Sequence, residues 1–116
     1  MVRPLTADEV EFAIEVHPED APIAGNCSAI DAETDSATEA WITDQLEQGN
    51  AWAWCCVRVV ARWEGFEGDD WLGCCSYESE ATFCEPGGYF GDMLARALEA
   101  LNETVATTEW TLAKLA

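Results

Sequence analysis

The sequence predicts an α+β domain whose elements follow the order β-α-β-β-α. Apolar and polar residues alternate over residues 10–17, which is typical of a half-buried strand, and the mostly apolar residues 51–63 predict a second, longer strand. Apolar residues at helical spacing over 89–105 indicate an amphipathic helix. An apolar fraction of 49% accompanies 23 acidic and five basic residues, a formal net charge of −18. The chain therefore has enough apolar residues for a folded core despite its charge.

The first predicted elements are a strand and a helix. Apolar residues occupy every second position from Val10 to Val16, and prolines follow. Residues 33–48 have a helical pattern that Gly49 and Asn50 end.

A long second strand is predicted over residues 51–63. Because side chains alternate along a strand, Trp52 and Trp54 are expected on the same face as Arg58 and Arg62. Such a face packs under a helix or against another subunit, so the two tryptophans are a candidate homodimer face.

The remaining elements complete a hairpin and a second helix. Two glycines within residues 64–70 predict a turn there. The returning strand is predicted over residues 71–79 and the helix over residues 89–105. Residues 107–115 fit either a final edge strand, which would give the ferredoxin-like order βαββαβ, or a continuation of the helix. In both cases we expect one acidic domain over 1–116, an antiparallel sheet with two helices packed on one face.

The N-terminal residues contain no apolar stretch of the kind found in signal peptides. The longest apolar run, residues 51–57, is too short to span a bilayer. An acidic surface is also repelled by anionic lipids. We therefore expect no membrane association and a cytoplasmic location, where cysteines stay mostly reduced.

The six cysteines predict packing more than chemistry. Cys55-Cys56 and Cys74-Cys75 are adjacent pairs, and neighbours on a strand point to opposite faces, which is poor geometry for a zinc cage. A disulfide or a metal among them stays open as the alternative. The acids of residues 64–70 do not have the spacing of a calcium loop, so no metal or other cofactor is expected.

No catalytic motif is present, and we expect no catalytic residues. His17 is the only histidine, and no serine lies in a nucleophile motif. The alternative is a small cysteine-dependent enzyme that pairs His17 with Cys84 or Cys27, since such pairs meet in space.

The acidic residues are the candidate partner-binding groups. Carboxylates three or four residues apart on a helix, or two apart on a strand, lie about 5–7 Å from each other, a spacing similar to that of successive backbone phosphates. The chain itself, with five basic residues, is not expected to bind nucleic acid. The candidate residues are Glu33, Asp35, Glu39, Asp44 and Glu47 in the first helix, Glu64, Glu67, Asp69 and Asp70 in the hairpin turn, and Asp92, Glu99 and Glu103 in the second helix.

Residues 9–104 resemble small proteins carried by bacteriophages and mobile elements. In size and charge the chain is similar to anti-restriction and anti-CRISPR proteins, many of which are acidic and some of which mimic DNA. No functional residues carry over from these proteins. The segments that carry the resemblance are Ala51-Trp52-Ala53-Trp54, Val57-Arg58-Val59, Glu64-Gly65-Phe66-Glu67-Gly68, Leu72-Gly73-Cys74-Cys75-Ser76-Tyr77 and Gly88-Tyr89-Phe90-Gly91-Asp92-Met93.

The resemblance implies a non-enzymatic inhibitor of a host nucleic-acid-processing defence complex. The effector of a CRISPR system, with its basic DNA-binding surface, is the expected partner. The competing interpretation from the residues is an assembly module that homodimerises through the Trp-rich strand.

Overall fold

Three strands and three α-helices are formed by the residues that the structure, a computed structural model, describes. These residues are 3–24, 26 and 32–115, and for 32–35, 110, 111 and 113–115 only the backbone is described. The strands form an antiparallel sheet with β2 in the centre. The predicted α+β class and the order β-α-β-β-α are confirmed. The elements are β1 Glu11–Pro18, α1 Ala32–Glu47, β2 Cys55–Trp63, β3 Phe66–Cys75, α2 Glu80–Phe83 and α3 Phe90–Leu115, with 3₁₀ turns at Ala7–Glu9 and Ala51–Ala53.

The last helix is longer than the sequence indicates. Residues 107–115 continue α3, so the edge strand of a ferredoxin-like fold is not formed and that alternative is wrong. The hydroxyl groups of Thr104 and Thr108 donate to the carbonyl oxygens four residues earlier, 3.0 and 2.9 Å away. Both threonine side chains are thus accommodated in the helix.

A two-residue turn joins β2 to β3. Glu64 and Gly65 both have positive φ angles, 50° and 84°, as a type I′ hairpin turn requires. The predicted turn over 64–70 is therefore too long, and the predicted strand at 71–79 begins too late and ends too late. Residues 66–70 belong to β3, and their side chains alternate between the two faces of the sheet.

Contacts within the chain divide it into two compact units. The α3 unit contains residues 1–15, 58–71 and 89–116, and the α1 unit contains 16–57 and 72–88. All three strands run from one unit into the other. The single domain expected over 1–116 stays a prediction. Buried apolar residues of the α3 unit are Leu5, Val59, Val60, Ala61, Met93, Ala97, Leu101 and Val105; those of the α1 unit are Ile42, Ala53, Trp54, Cys55, Val57, Cys75 and Phe83.

In the α3 unit, the helix packs on the face of β3 that carries Gly68. A Cβ atom at Gly68 would meet the backbone of Ala97 and Leu101, so glycine permits the close approach of strand and helix. The N-terminal segment is fixed to the same helix by the amide of Asn102, which accepts from the Leu5 N–H at 2.7 Å and donates to the Leu5 carbonyl at 3.1 Å. These contacts determine which face of α3 stays accessible.

In the α1 unit, α1 packs against the 3₁₀ turn Ala51–Ala53. Ile42 is buried together with Ala53 and Trp54. The helix ends in a Schellman motif, in which the N–H groups of Gly49 and Asn50 donate to the carbonyls of Leu46 and Gln45. Gly49 has a φ of 90°, which explains the glycine at this position.

Candidate partner-binding surface

An ion-pair network covers the face of the sheet opposite α3 in the α3 unit. Arg58, whose side chain is 18% exposed, contacts three carboxylates. Its guanidinium lies 2.7 Å from Asp69, 2.9 Å from Glu15 and 3.3 Å from Glu67. The three acids come from β1 and β3, the two strands that flank β2, so the network crosses the whole sheet. We call Arg58, Arg62, Glu15, Glu67 and Asp69 the sheet network.

Arg62 completes the network beside the hairpin. Its guanidinium lies 2.8 Å from Glu67 and 3.4 Å from Glu15. Val60 lies between the two arginines on β2 and is fully buried, because long side chains cover apolar surface with their stems. The ring of Trp71 lies 5.8 Å from the Arg58 guanidinium and is 52% exposed.

The other two arginines also pair with acids of their own unit. Arg96 of α3 lies 2.8 Å from Asp70 of β3. Arg3 lies 2.6 Å from Glu9, and this contact, with bonds from Thr6, lowers the pKa of Glu9 to about 2. Each of the four arginines of the sequence is thus held in an intramolecular ion pair.

The acids predicted for the hairpin turn are distributed differently from the prediction. Glu67 and Asp69 belong to the sheet network, and Asp70 pairs with Arg96 on the opposite face. The pKa of Glu67 is lowered, first by Arg62 and then by Arg58. Only Glu64 lies in the turn itself, where it is exposed.

The acids predicted for the two helices face solvent where they are described. In α1, Asp44 and Glu47 are exposed and Glu39 is half-buried; Glu33 and Asp35 lie outside the described side chains. In α3, three exposed acids form a row on one side of the helix, spaced by seven and four residues: Asp92, Glu99 and Glu103. We call these three residues the α3 acidic row. Among the described side chains, no ion pair is formed by the row or by the three described acids of α1.

An acidic pocket of about 450 Å³ lies beside the hairpin turn in the α3 unit. Trp63 and Phe66 stack in it, with ring centroids 6.3 Å apart and planes 18° apart. Glu9 and Glu11, which the sequence did not single out, contribute carboxylates next to Glu64. Their place in the pocket depends on the N-terminal segment lying beside the hairpin, a contact that local sequence does not indicate.

An apolar groove of about 510 Å³ runs along α3 and is lined by Pro4 from the N-terminal segment. The bonds between Leu5 and Asn102 hold Pro4 beside the helix. The sequence pattern assigned Leu98 to the core stripe of α3, whereas Leu98 is only half-buried and lines the groove. The other lining residues are Ala95, Glu99, Asn102, Glu103 and Ala106.

Trp52 and Trp54 do not share a strand face with the arginines, because β2 begins after them, at Cys55. The indole N–H of Trp54 donates to the Ala21 carbonyl at 2.8 Å, and the side chain is 6% exposed. Trp52 packs against Tyr77 and Phe83, with centroids 6.3 and 5.4 Å away. Both indoles are thus used in packing within the α1 unit, and Trp54 leaves little surface for a second copy to contact.

Four cysteines of the α1 unit lie near Glu19: Cys55, Cys56, Cys74 and Cys75. The Glu19 carboxylate accepts the backbone N–H of Cys74 at 2.5 Å and that of Ala21 at 3.2 Å, which lowers its pKa to about 2. Burial, together with a bond to Glu19, raises the pKa of Cys56. Cys55 and Cys75 are buried on adjacent strands, and a hydrogen bond between the two thiols, followed by burial, raises the pKa of Cys55.

Cys74 has a φ of 52° at an exposed position near the end of β3. If β2 and β3 paired without interruption from the turn onwards, Cys55 would lie opposite Cys74. The thiol of Cys55 instead forms a hydrogen bond with Cys75. One extra residue in β3, a β-bulge at Cys74, accounts for both observations. None of the five described cysteines is joined in a disulfide, and within the described residues no three His, Cys, Asp or Glu side chains are arranged to hold a metal ion.

The cysteine-dependent enzyme considered as an alternative would use His17 with Cys84 or Cys27, and the surroundings of Cys84 disfavour a nucleophilic thiolate. Burial, with a contribution from Glu80, raises the pKa of Cys84, whereas a nucleophilic cysteine needs a lowered pKa. His17 is exposed near the end of β1. Cys27 lies outside the described residues.

Compared with protein-family models, with curated proteins and with solved structures, the chain matches none of them. Across the described ranges, no helix combines the length and apolar character needed to cross a membrane.

Proposed function

We propose that this chain is a non-enzymatic inhibitor of a host nucleic-acid-processing defence complex, with a CRISPR effector as the first candidate. It acts in the cytoplasm of a bacterial host by occupying the basic DNA-binding surface of that complex. One observation carries the proposal. All four arginines are paired with acids of the chain, and most of the other described acids are exposed and form no ion pair with a described side chain.

The distribution of these acids supports binding to a basic surface. The α3 acidic row extends over 11 residues of helix, about 16 Å at 1.5 Å per residue. Glu99 and Glu103 lie one turn apart, about 6 Å, which is close to the spacing of phosphates along a nucleic acid strand. A field from 18 excess negative charges also accelerates the encounter with a positive groove.

The sheet network supplies the rigidity that mimicry of a nucleic acid requires. Arg58 and Arg62 link β1, β2 and β3 on one face. Glu67 and Asp69 are therefore structural acids in this proposal, and the contacts with the partner come from Glu64 and from the acids of α1 and α3.

The test is a competition experiment with purified, guide-loaded CRISPR effectors and fluorescent target DNA. Increasing amounts of the chain should displace DNA from one effector, and the effect should weaken as salt increases. Two triple variants remove the same charge from different helices: D92N/E99Q/E103Q from α3, and E39Q/D44N/E47Q from α1. We expect at least one of them to need about tenfold more protein for the same displacement.

Two results would contradict the proposal. If none of the effectors loses DNA at low salt, the chain is not an inhibitor of this class. If DNA is displaced equally well by both triple variants, and by a variant that combines them with E64Q, then these carboxylates do not act as a mimic of DNA.

A further inference from the structure

The accessible side of α3 carries an apolar stripe of residues next to an acidic one. Ala95, Leu98, Asn102 and Ala106 follow one another at spacings of three and four residues and form the floor of the apolar groove. Glu99 and Glu103 also line this groove and belong to the α3 acidic row. The groove is thus apolar along its floor and negatively charged along one edge.

The N-terminal segment forms a wall of the groove and is fixed in position. Pro4 lines it, and the adjacent Leu5 is buried and bonded through both its N–H and its carbonyl to Asn102. Because Asn102 also lines the groove, the hydrogen bonds that attach the N-terminal segment to α3 lie at its floor. The groove is therefore preformed, which lowers the entropy cost of binding.

From this arrangement we infer that the groove is a docking site for a basic amphipathic helix of the partner protein. Its length from Ala95 to Ala106, about 16 Å, matches about three turns of such a helix. Leu-sized side chains of the partner fill the floor, and Lys or Arg side chains reach Glu99 and Glu103. The inference rests on the proposed function and names the kind of element that the chain recognises in its target.

Charge complementarity identifies the occupant. A second copy of the chain, with the same net charge of −18, would place its own α3 acidic row near Glu99 and Glu103. Like charges at such an edge are destabilising. A basic segment would instead neutralise Glu99 and Glu103, the two charged residues among the described residues that line the groove.

The experiment measures binding of three fluorescein-labelled helical peptides of about 18 residues, long enough for the groove. The first has a Leu/Ala face flanked by Lys and Arg. In the second, Glu replaces Lys and Arg, and in the third, Ser replaces Leu. Fluorescence anisotropy with the full chain at low salt should show binding of the first peptide and at least about tenfold weaker binding of the other two.

Variants of the chain locate the site. A95Q/A106Q adds bulk to the groove without changing charge and should weaken binding of the basic peptide about tenfold. E99Q/E103Q should weaken it severalfold and reduce its salt dependence. The matched controls are E78Q/E85Q for charge, at two exposed positions of the α1 unit, and A81Q on α2 for bulk, and both variants should bind as the parent does. Circular dichroism verifies the fold of each variant, and E99Q/E103Q tests the site independently of the bulkier variant.

Three outcomes would overturn the inference: unchanged binding to A95Q/A106Q, equal binding of the acidic peptide, or self-association of the chain that A95Q/A106Q abolishes. The last result would assign the groove to a second copy. The proposed function is tested separately by DNA competition. If the basic peptide does not bind while DNA is still displaced, only the groove inference is contradicted. If the peptide binds but DNA is not displaced, only the inhibitor proposal is contradicted.

Discussion

Gly68 of β3 lies directly against the backbone of Leu101 in α3. A Cβ atom at residue 68 would overlap the Leu101 nitrogen and would lie 2.6 Å from the Ala97 carbonyl oxygen. Both are backbone atoms of a helix that buries Ala97 and Leu101 completely. Strand and helix can approach this closely only because residue 68 has no side chain.

Gly68→Ala should therefore destabilise the protein by about 1–3 kcal/mol or more, because α3 must shift to accept the methyl group. The matched control is Gly91→Ala in the first turn of α3, where a Cβ atom meets no other atom within 4 Å. That change should stabilise the protein by about 0.5–1 kcal/mol, since alanine favours helix. Urea denaturation measures both, and equal effects of the two substitutions would contradict the close packing at Gly68.

Removing the central cation of the sheet network should be costly. Arg58→Met leaves Glu15, Glu67 and Asp69 close together without their shared partner. We expect a loss of about 1–3 kcal/mol in urea denaturation at neutral pH, because partly buried charged groups lose their hydrogen bonds. Arg3→Met, which removes one exposed pair with Glu9, is the control and should scarcely change the urea midpoint. If the two variants are equally stable, the network does not hold the three strands together.

The comparison of Gly65 with Gly68 shows what could be predicted from the sequence. Periodicity identified β2 and the core of α3 because burial follows from residue spacing. The two glycines, three residues apart, looked like parts of one turn. Gly65 occupies the turn with a φ of 84°, whereas Gly68 lies under α3. Local sequence does not distinguish a glycine required by backbone conformation from one required by a neighbouring helix.

The candidate site was predicted in part. The predicted acids of α3 and two of those in α1, Asp44 and Glu47, face solvent, whereas Glu39 is half-buried. The roles of Glu67 and Asp69 could not be predicted, because Arg58 is linked to Glu15 across 43 residues of sequence and this pairing depends on the order of the strands. The groove was missed because it requires Pro4 beside α3, a contact between distant parts of the chain.

Glu19 should make stability depend on pH in the acidic range. Its pKa is about 2 in the folded chain, below the ordinary value of 4.5, because the N–H groups of Cys74 and Ala21 donate to its carboxylate. A group with a lowered pKa stabilises the fold fully above about pH 4.5, and this stabilisation is lost as the pH falls towards about 2. The Tm difference between the parent and Glu19→Gln should shrink over that range.

Asp20→Asn is the control for charge, since it removes the same charge from the exposed neighbouring residue. At neutral pH it should change the Tm less than Glu19→Gln does, because it leaves the bonds from Cys74 and Ala21 to Glu19 in place. A Glu19→Gln difference that stays constant from about pH 5 to about pH 2 would show that the Glu19 carboxylate does not anchor the Cys74 bulge.

With Cys27 replaced by serine, the five described cysteines should react with thiol reagents in an order set by exposure. Cys74 is exposed, whereas Cys55 and Cys75 are 0% and 4% exposed, and the pKa of Cys55 is raised. Mass spectrometry after a short treatment with iodoacetamide should find Cys74 modified first. Cys55 and Cys75 should react only as fast as the chain unfolds. Cys74→Ser should remove the fast phase, and fast labelling of Cys55 in the native protein would contradict the packing of these strands.

Salt should act in opposite directions on stability and on partner binding. With a net charge of −18, self-repulsion opposes the folded state, and raising NaCl from about 0.05 to about 0.5 M should screen it and raise the Tm. The same change should weaken binding to a basic peptide or effector, because those contacts depend on the same field. D92N/E99Q/E103Q should show a smaller effect of salt on both quantities. Scanning calorimetry measures the Tm, and fluorescence anisotropy measures the affinity for the peptide. A Tm that falls with salt would mean that the ion pairs of Arg58 and Arg62 outweigh the repulsion.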